Sequence, residues 1–202
     1  RVLQDILPAE ADNRPGGSNP DTYITIHETG NFARGADAAA HAAYLRGSSA
    51  RDAPVSWHYT VDDHSIYQHL PDNERAYHAG DGGSGPGNAT SIGIEICVDA
   101  GGDFEQARAN AASLVRLLME EHGTPIGHVV QHNHWNGKDC PYTIRHTSGT
   151  WEAFLALCEG GPCAKTNRQT VQARFGLADE TMDYLEAYRY GADLLQKLAA
   201  AN

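Results

Sequence analysis

Two stretches concentrate residues able to bind a metal or move protons. One is Ile24-Thr25-Ile26-His27-Glu28-Thr29, and the other is Val130-Gln131-His132-Asn133-His134-Trp135-Asn136-Gly137-Lys138-Asp139-Cys140-Pro141. Each places a His at the carboxyl end of a strand-like run, where sheet proteins tend to build their sites. Two imidazoles and a thiolate form a donor set that suits zinc, which takes N and S ligands at about 2.0–2.3 Å and leaves a fourth position open in catalytic sites. His128 and His134 compete with His27 and His132 as ligands. Lys138 is tied to the same loop two residues before Cys140, where an ammonium can hold the oxyanion of a tetrahedral intermediate. Glu95 interrupts the apolar run Ile92-Gly93-Ile94-Glu95-Ile96-Cys97-Val98. A carboxylate there is costly without a partner or a task, and burial raises its pKa toward that of a general base. Glu28 is a rival base, although it points to the strand face opposite His27.

The elements that must position these groups follow from periodicity and turn residues. Residues 22–26 are β-branched and aromatic and read as a strand ending at His27. Residues 36–45 are alanine-rich and read as a helix. Residues 55–61 and 65–69 read as two strands joined at Asp62-Asp63. The glycine-rich segment 80–91 lacks the Lys and the strand-then-helix setting of a phosphate cradle, and reads as a long flexible lid. Residues 91–98 read as a strand buried on both faces. Apolar residues at Ala107, Ala111, Leu114, Val115, Leu118 and Met119 predict an amphipathic helix over 104–122. A short strand over 127–131 ends at His132, and a helix follows over 150–158. Alternating strands and helices make an α/β domain over residues 1–158. After the break at Gly160-Gly161-Pro162 come helices over 170–175 and 178–200, a tail at 165–202 too small to form its own core. Its apolar stripe is expected to bury against the main domain or against a second copy, as a homodimer.

Composition narrows the function classes. A net charge of -11 opposes non-specific nucleic-acid binding, which depends on Lys and Arg neutralising phosphates. No apolar run approaches the roughly 20 residues that span a membrane. Four Cys are too few for a disulfide scaffold in 202 residues. Cys97 reads as a buried hydrophobe, and Cys158 and Cys163 either pair or stay free. Residues 1–12 lack the basic start, apolar middle and small-residue cleavage site of a secretory signal.

Further segments join the two stretches in a fixed order: Val-Ser-Trp-His-Tyr-Thr-Val-Asp-Asp at 55–63, Tyr-His-Ala-Gly-Asp-Gly at 77–82 and Ser-Ile-Gly-Ile-Glu-Ile-Cys at 91–97. Over residues 12–146 the pattern resembles the N-acetylmuramoyl-L-alanine amidases of the phage-endolysin and autolysin type, relatives of the peptidoglycan recognition proteins. The resemblance implies an α/β fold, a mixed central β-sheet flanked by helices, with a short C-terminal helical tail. It implies a zinc ion held by His27, His132 and Cys140, with Glu95 and Lys138 catalytic. It implies that His78 lines the groove near the metal, as a substrate contact or oxyanion support, and that Trp57 and Thr29 contact substrate. One branch of the family carries Tyr where Trp57 stands, so the base role falls to Glu95. The implied partner is bacterial peptidoglycan, cut between N-acetylmuramic acid and L-alanine. The expectation for origin is a phage or prophage product made in the cytoplasm and acting on the wall, or a secreted protein whose signal has been removed. The rivals are a peptidoglycan-binding module without activity, which the presence of Cys140 disfavours, and another zinc hydrolase.

Overall fold

The structure is a computed structural model. It describes residues 2–52, 54–147, 149–160, 171–172, 174–187 and 191–200. Two compact units divide the chain, residues 1–162 and 163–202.

The first unit is built on a six-stranded sheet of strands β1 (Val2–Gln4), β2 (Tyr23–Glu28), β3 (Tyr59–Val61), β4 (Ile66–Gln68), β5 (Ser91–Ile96) and β6 (Val129–Gln131), in the order β1-β4-β3-β5-β2-β6. The strands β3, β5, β2 and β6 run parallel, and β4 turns back antiparallel to β3. The sheet is therefore mixed. The β3–β4 hairpin closes on Asp62, whose carboxylate accepts the backbone N–H groups of His64 and Ser65, the local bonding that makes Asp a turn residue. β1 was invisible to periodicity because three residues carry no period; it forms by pairing in parallel with β4.

Strand alternation gives the sheet two chemically different faces. On one, Ile24 and Ile26 of β2 and Ile92, Ile94 and Ile96 of β5 form a continuous apolar core. Helix α4 (Phe104–His122) covers it with Ala107, Ala111, Leu114, Val115 and Leu118, and helix α7 (Trp151–Cys158) adds Phe154 and Leu157. Each such fully buried large side chain contributes about 1.5–3 kcal/mol. The spacing in the sequence predicted α4 because its ends carry their own signals: Asp103 accepts from Gln106 N–H, and Gly123 adopts φ 69° at the exit. The opposite face of the same strands carries Thr25, His27, Ser91, Gly93 and Glu95, in register across β2 and β5. The run 91–98 is thus buried on both sides, as expected, but only one side is hydrocarbon.

Helices α1 (Ala38–Arg46) and α2 (Ser48–Asp52) and the segment 70–90 belong to the polar side. The glycine-rich stretch is not a free lid. It contains helix α3 (Pro86–Thr90), and the Asp81 carboxylate accepts from Gly87 and Asn88 N–H at 2.6 and 3.3 Å. Trp57 is likewise structural: buried beside Leu7, Leu45 and Leu70, it donates Nε1–H to Thr60 Oγ1 at 2.6 Å. Its expected contact with substrate is replaced by a place in a second apolar cluster.

In the second unit, helices Asp179–Ala187 and Gly191–Ala200 stand where one long helix was read; residues 188–190 lie outside the described residues. Val171, Met182 and Leu195 bury one another there. The tail thus has a small apolar cluster of its own, which a linear stripe could not reveal. Cys163 also lies outside the described residues, whereas Cys158 is buried in the main core. No helix among the described residues is long and apolar enough to cross a membrane.

Candidate metal centre

The carboxyl ends of β2 and β6 bring the three sequence-expected ligands together. His27 lies in β2, and His132 follows β6, its backbone N–H donating to Ile26 C=O at 3.1 Å. The loop after helix α5 (Asn133–Asn136) then returns Cys140 to the same place, where Glu28 N–H points at its Sγ at 3.4 Å. One ligand atom from each of His27, His132 and Cys140 lies within 4.8 Å of the others, and all three residues are buried. The two imidazoles meet Nδ1 to Nδ1 at 2.9 Å. His132 Nε2 lies 2.9 Å from Ala79 C=O, so it carries the proton and leaves Nδ1 bare toward the centre. A carbonyl on the outer nitrogen is the usual way a metal-binding histidine is held. The donor chemistry and the inward aim of these atoms fit zinc.

Burial sets the protonation of the set. It pushes His27 well below the usual imidazole range, with His78, His132 and Lys138 adding to the effect. Both ligands are therefore neutral, as coordination needs. Burial, reinforced by Glu95, pushes the Cys140 thiol up to about 12, so its thiolate needs a cation beside it. His128 and His134, the competing ligands, lie elsewhere: His128 stacks on Tyr23 at 4.5 Å and His134 sits edge-on to Trp135 at 4.7 Å. Asp62, Asp63 and His64 also approach one another closely, but Asp62 is already filled by Ala38, His64 and Ser65 as a turn cap.

Glu95 and His27 are register partners, and Glu95 Oε1 stands 4.0 Å from His27 Nδ1. Glu95 Oε2 is buried with no hydrogen-bond partner among the described residues. Burial pushes the carboxyl up to about 8; Lys138 opposes the rise and Glu28 adds to it. Lys138 is exposed, yet its charge is felt by His27, Glu95, His132 and Cys140 together. Thr29 Oγ1, just beyond β2, is a second buried polar atom without a partner.

Glu28, the rival base, is occupied. It faces the other side of β2, and its two oxygens accept Thr143 and Ile144 N–H at 2.8 and 2.9 Å. It caps helix α6 (Tyr142–His146), where a carboxylate also meets the positive end of the helix dipole. Glu28 thus touches the Cys140 segment twice, through its N–H and through its side chain. Glu28→Ala is expected to cost about 1–2 kcal/mol as a lost cap, and to weaken zinc binding because the segment that follows Cys140 loses its side-chain anchor while the backbone N–H contact to Sγ stays. Chemical denaturation and metal titration of the variant check both; unchanged stability would show that the cap contributes nothing.

His78 was expected to line the groove. It instead stands behind His27, 7% exposed, with Nδ1 2.9 Å from His27 Nε2. Sequence reasoning missed Ser91, Asn88 and Ala79 in this layer, and no motif rule singles out a carbonyl or a strand-end serine.

A family model described as N-acetylmuramoyl-L-alanine amidase matches residues 17–143. N-acetylmuramoyl-L-alanine amidase XlyA of Bacillus subtilis (strain 168) is 52% identical over 160 residues, covering 79% of this chain and 52% of that protein. This chain therefore spans about half of that relative's length. N-acetylmuramoyl-L-alanine amidase CwlH of the same strain is 43% identical over 195 residues, covering 96% and 74%. The solved catalytic domain of XlyA superposes with a TM-score of 0.73 at 51% identity, over 78% of this chain and 99% of that one.

Proposed function

The chain belongs to the N-acetylmuramoyl-L-alanine amidase family, and on that premise we propose that it hydrolyses the amide joining N-acetylmuramic acid to the L-alanine of the stem peptide in bacterial peptidoglycan, with zinc held by His27, His132 and Cys140. The observation that carries the reading is the pairing of an inward-facing N, N, S donor set with the Glu95 carboxylate, whose Oε1 lies 4.0 Å from His27 and whose Oε2 has no hydrogen-bond partner among the described residues. Zinc, when bound, supplies a Lewis acid that polarises the scissile carbonyl and acidifies water.

The chain's own residues do the rest. Glu95 takes the proton of the attacking water, which its raised pKa equips it to hold. It then delivers that proton to the alanine nitrogen as the carbon–nitrogen bond breaks. Lys138 places a positive charge beside the oxyanion formed on the carbonyl. His27 and His132, kept neutral by burial, do not compete for the proton. Thr29, with its unpaired hydroxyl at the end of β2, is the residue we assign to substrate contact.

Product analysis of digested walls is the direct test. Free stem peptides beginning with alanine support the reading. New amino groups on interior residues would replace it with a peptidase, and zinc-dependent binding without any cleavage would replace it with a binding module. We further propose that the site of action is the cell wall.

A further inference from the structure

The protons of the polar sheet face can be placed one by one. Trp135 Nε1–H can only donate, and its partner is Thr25 Oγ1 at 2.9 Å. The Thr25 hydroxyl proton therefore goes on to Ser91 Oγ at 2.8 Å. Ser91 lies 2.6 Å from Gly87 C=O, which can only accept, so the Ser91 proton is committed there. Ser91 Oγ is left as an acceptor facing His78 Nε2 at 3.5 Å. With His27 Nδ1 given to a cation, His27 carries its proton on Nε2 and donates it to His78 Nδ1 at 2.9 Å, so His78 keeps its own proton on Nε2, toward the Ser91 acceptor.

The neighbouring residue does the same for the second ligand, since Ala79 C=O takes the proton of His132 Nε2. Both supports sit on one two-residue stretch of backbone. Asn88 Oδ1 pins that stretch by accepting the N–H groups of His78 and Ala79 at 2.8 and 2.7 Å. The His78 ring lies flat on Gly93, where a Cβ would come within 2.7 Å of its Cγ.

We propose that the His78–Ala79 stretch, pinned by Asn88, sets the tautomer and aim of both histidine ligands, His78 acting through His27 and the Ala79 carbonyl through His132. His78 is then a positioning residue and not a substrate contact. The inference rests on the metal assignment above, but its test does not need turnover.

Nitrogen NMR of the zinc-loaded full chain reads the His78 tautomer directly. The expected state carries the proton on His78 Nε2, and a proton on His78 Nδ1 overturns the proposal without any mutant. Zinc affinity by chelator competition is the second readout. His78→Phe removes the acceptor and is expected to weaken zinc binding about 10–100-fold, while His78→Gln, whose amide oxygen can accept, recovers most of it. A folded His78→Phe protein with wild-type zinc affinity would overturn the proposal. A rise in KM alone would return His78 to the substrate. Failure of the wild-type chain to bind zinc would instead sink the metal assignment itself.

Discussion

Glu95→Gln is expected to lower amide hydrolysis by about 10²–10⁴-fold, the range of a general base, with zinc content and fold unchanged. The replacement keeps the size of the side chain and removes only its ability to take a proton. Glu95 makes no hydrogen bond through Oε2, so its loss as an anion leaves no other group stranded. The pH profile separates this role from a structural one. Burial pushes the carboxyl up to about 8 in the metal-free protein, and a cation held by His27, whose Nδ1 is 4.0 Å away, draws it back down by favouring the charged form. The working form is the carboxylate. The rate therefore falls as pH drops through the Glu95 pKa, and this acid limb lies below pH 8. The residual activity of Glu95→Gln should lack the limb. Wild-type rates in the variant, or an unchanged acid limb, would remove Glu95 from the mechanism.

The candidate ligands were legible because coordination restricts residue type so strongly. Donor chemistry and strand ends singled out His27, His132 and Cys140 with His128 and His134 as rivals, the family resemblance implied the three, and the structure brings one ligand atom of each within 4.8 Å of the others. Glu95 was legible for the opposite reason, as a charge where the strand pattern called for hydrocarbon. What stayed hidden depends on partners distant in sequence. Glu28 is a carboxylate like Glu95 and directly follows the candidate ligand His27, and only the alternation of β2, with helix α6 arriving from residue 142 onward, makes it a cap. Trp57 and His78 occupy motifs the family resemblance ties to substrate, yet the fold turns one into a cluster with Leu45 and Leu70 and the other behind a ligand. An aromatic or imidazole side chain suits a groove and an interior equally well, so residue type alone could not decide. The tail was misjudged because its stripe was read along one helix, whereas Val171, Met182 and Leu195 come from separate segments.

Stripping the metal with a chelator is expected to abolish hydrolysis and to lower the thermal midpoint, and adding zinc should restore both. In the metal-free chain the two Nδ1 atoms meet at 2.9 Å, and the Cys140 thiol stays protonated with its pKa pushed up to about 12. A cation replaces that contact with coordination and is bound by the folded chain alone. At a free zinc concentration of about 100 times Kd, linkage adds about 2.7 kcal/mol. For a chain of this size that is a rise of about 5–10 °C, at roughly 2–4 °C per kcal/mol. Because Cys140 must lose its proton on binding, affinity should strengthen about tenfold per pH unit while the pH stays below that of the free thiol, with one proton released per zinc. Calorimetry in buffers of different ionisation enthalpy counts that proton. Cys140→Ala keeps both imidazoles and removes the thiol, so it should bind zinc weakly, release no proton and lose most of the thermal shift. If instead zinc raised the midpoint of Cys140→Ala as far as that of the wild type, the ion would be seated elsewhere, and the three-ligand assignment would fail even if the enzyme required zinc.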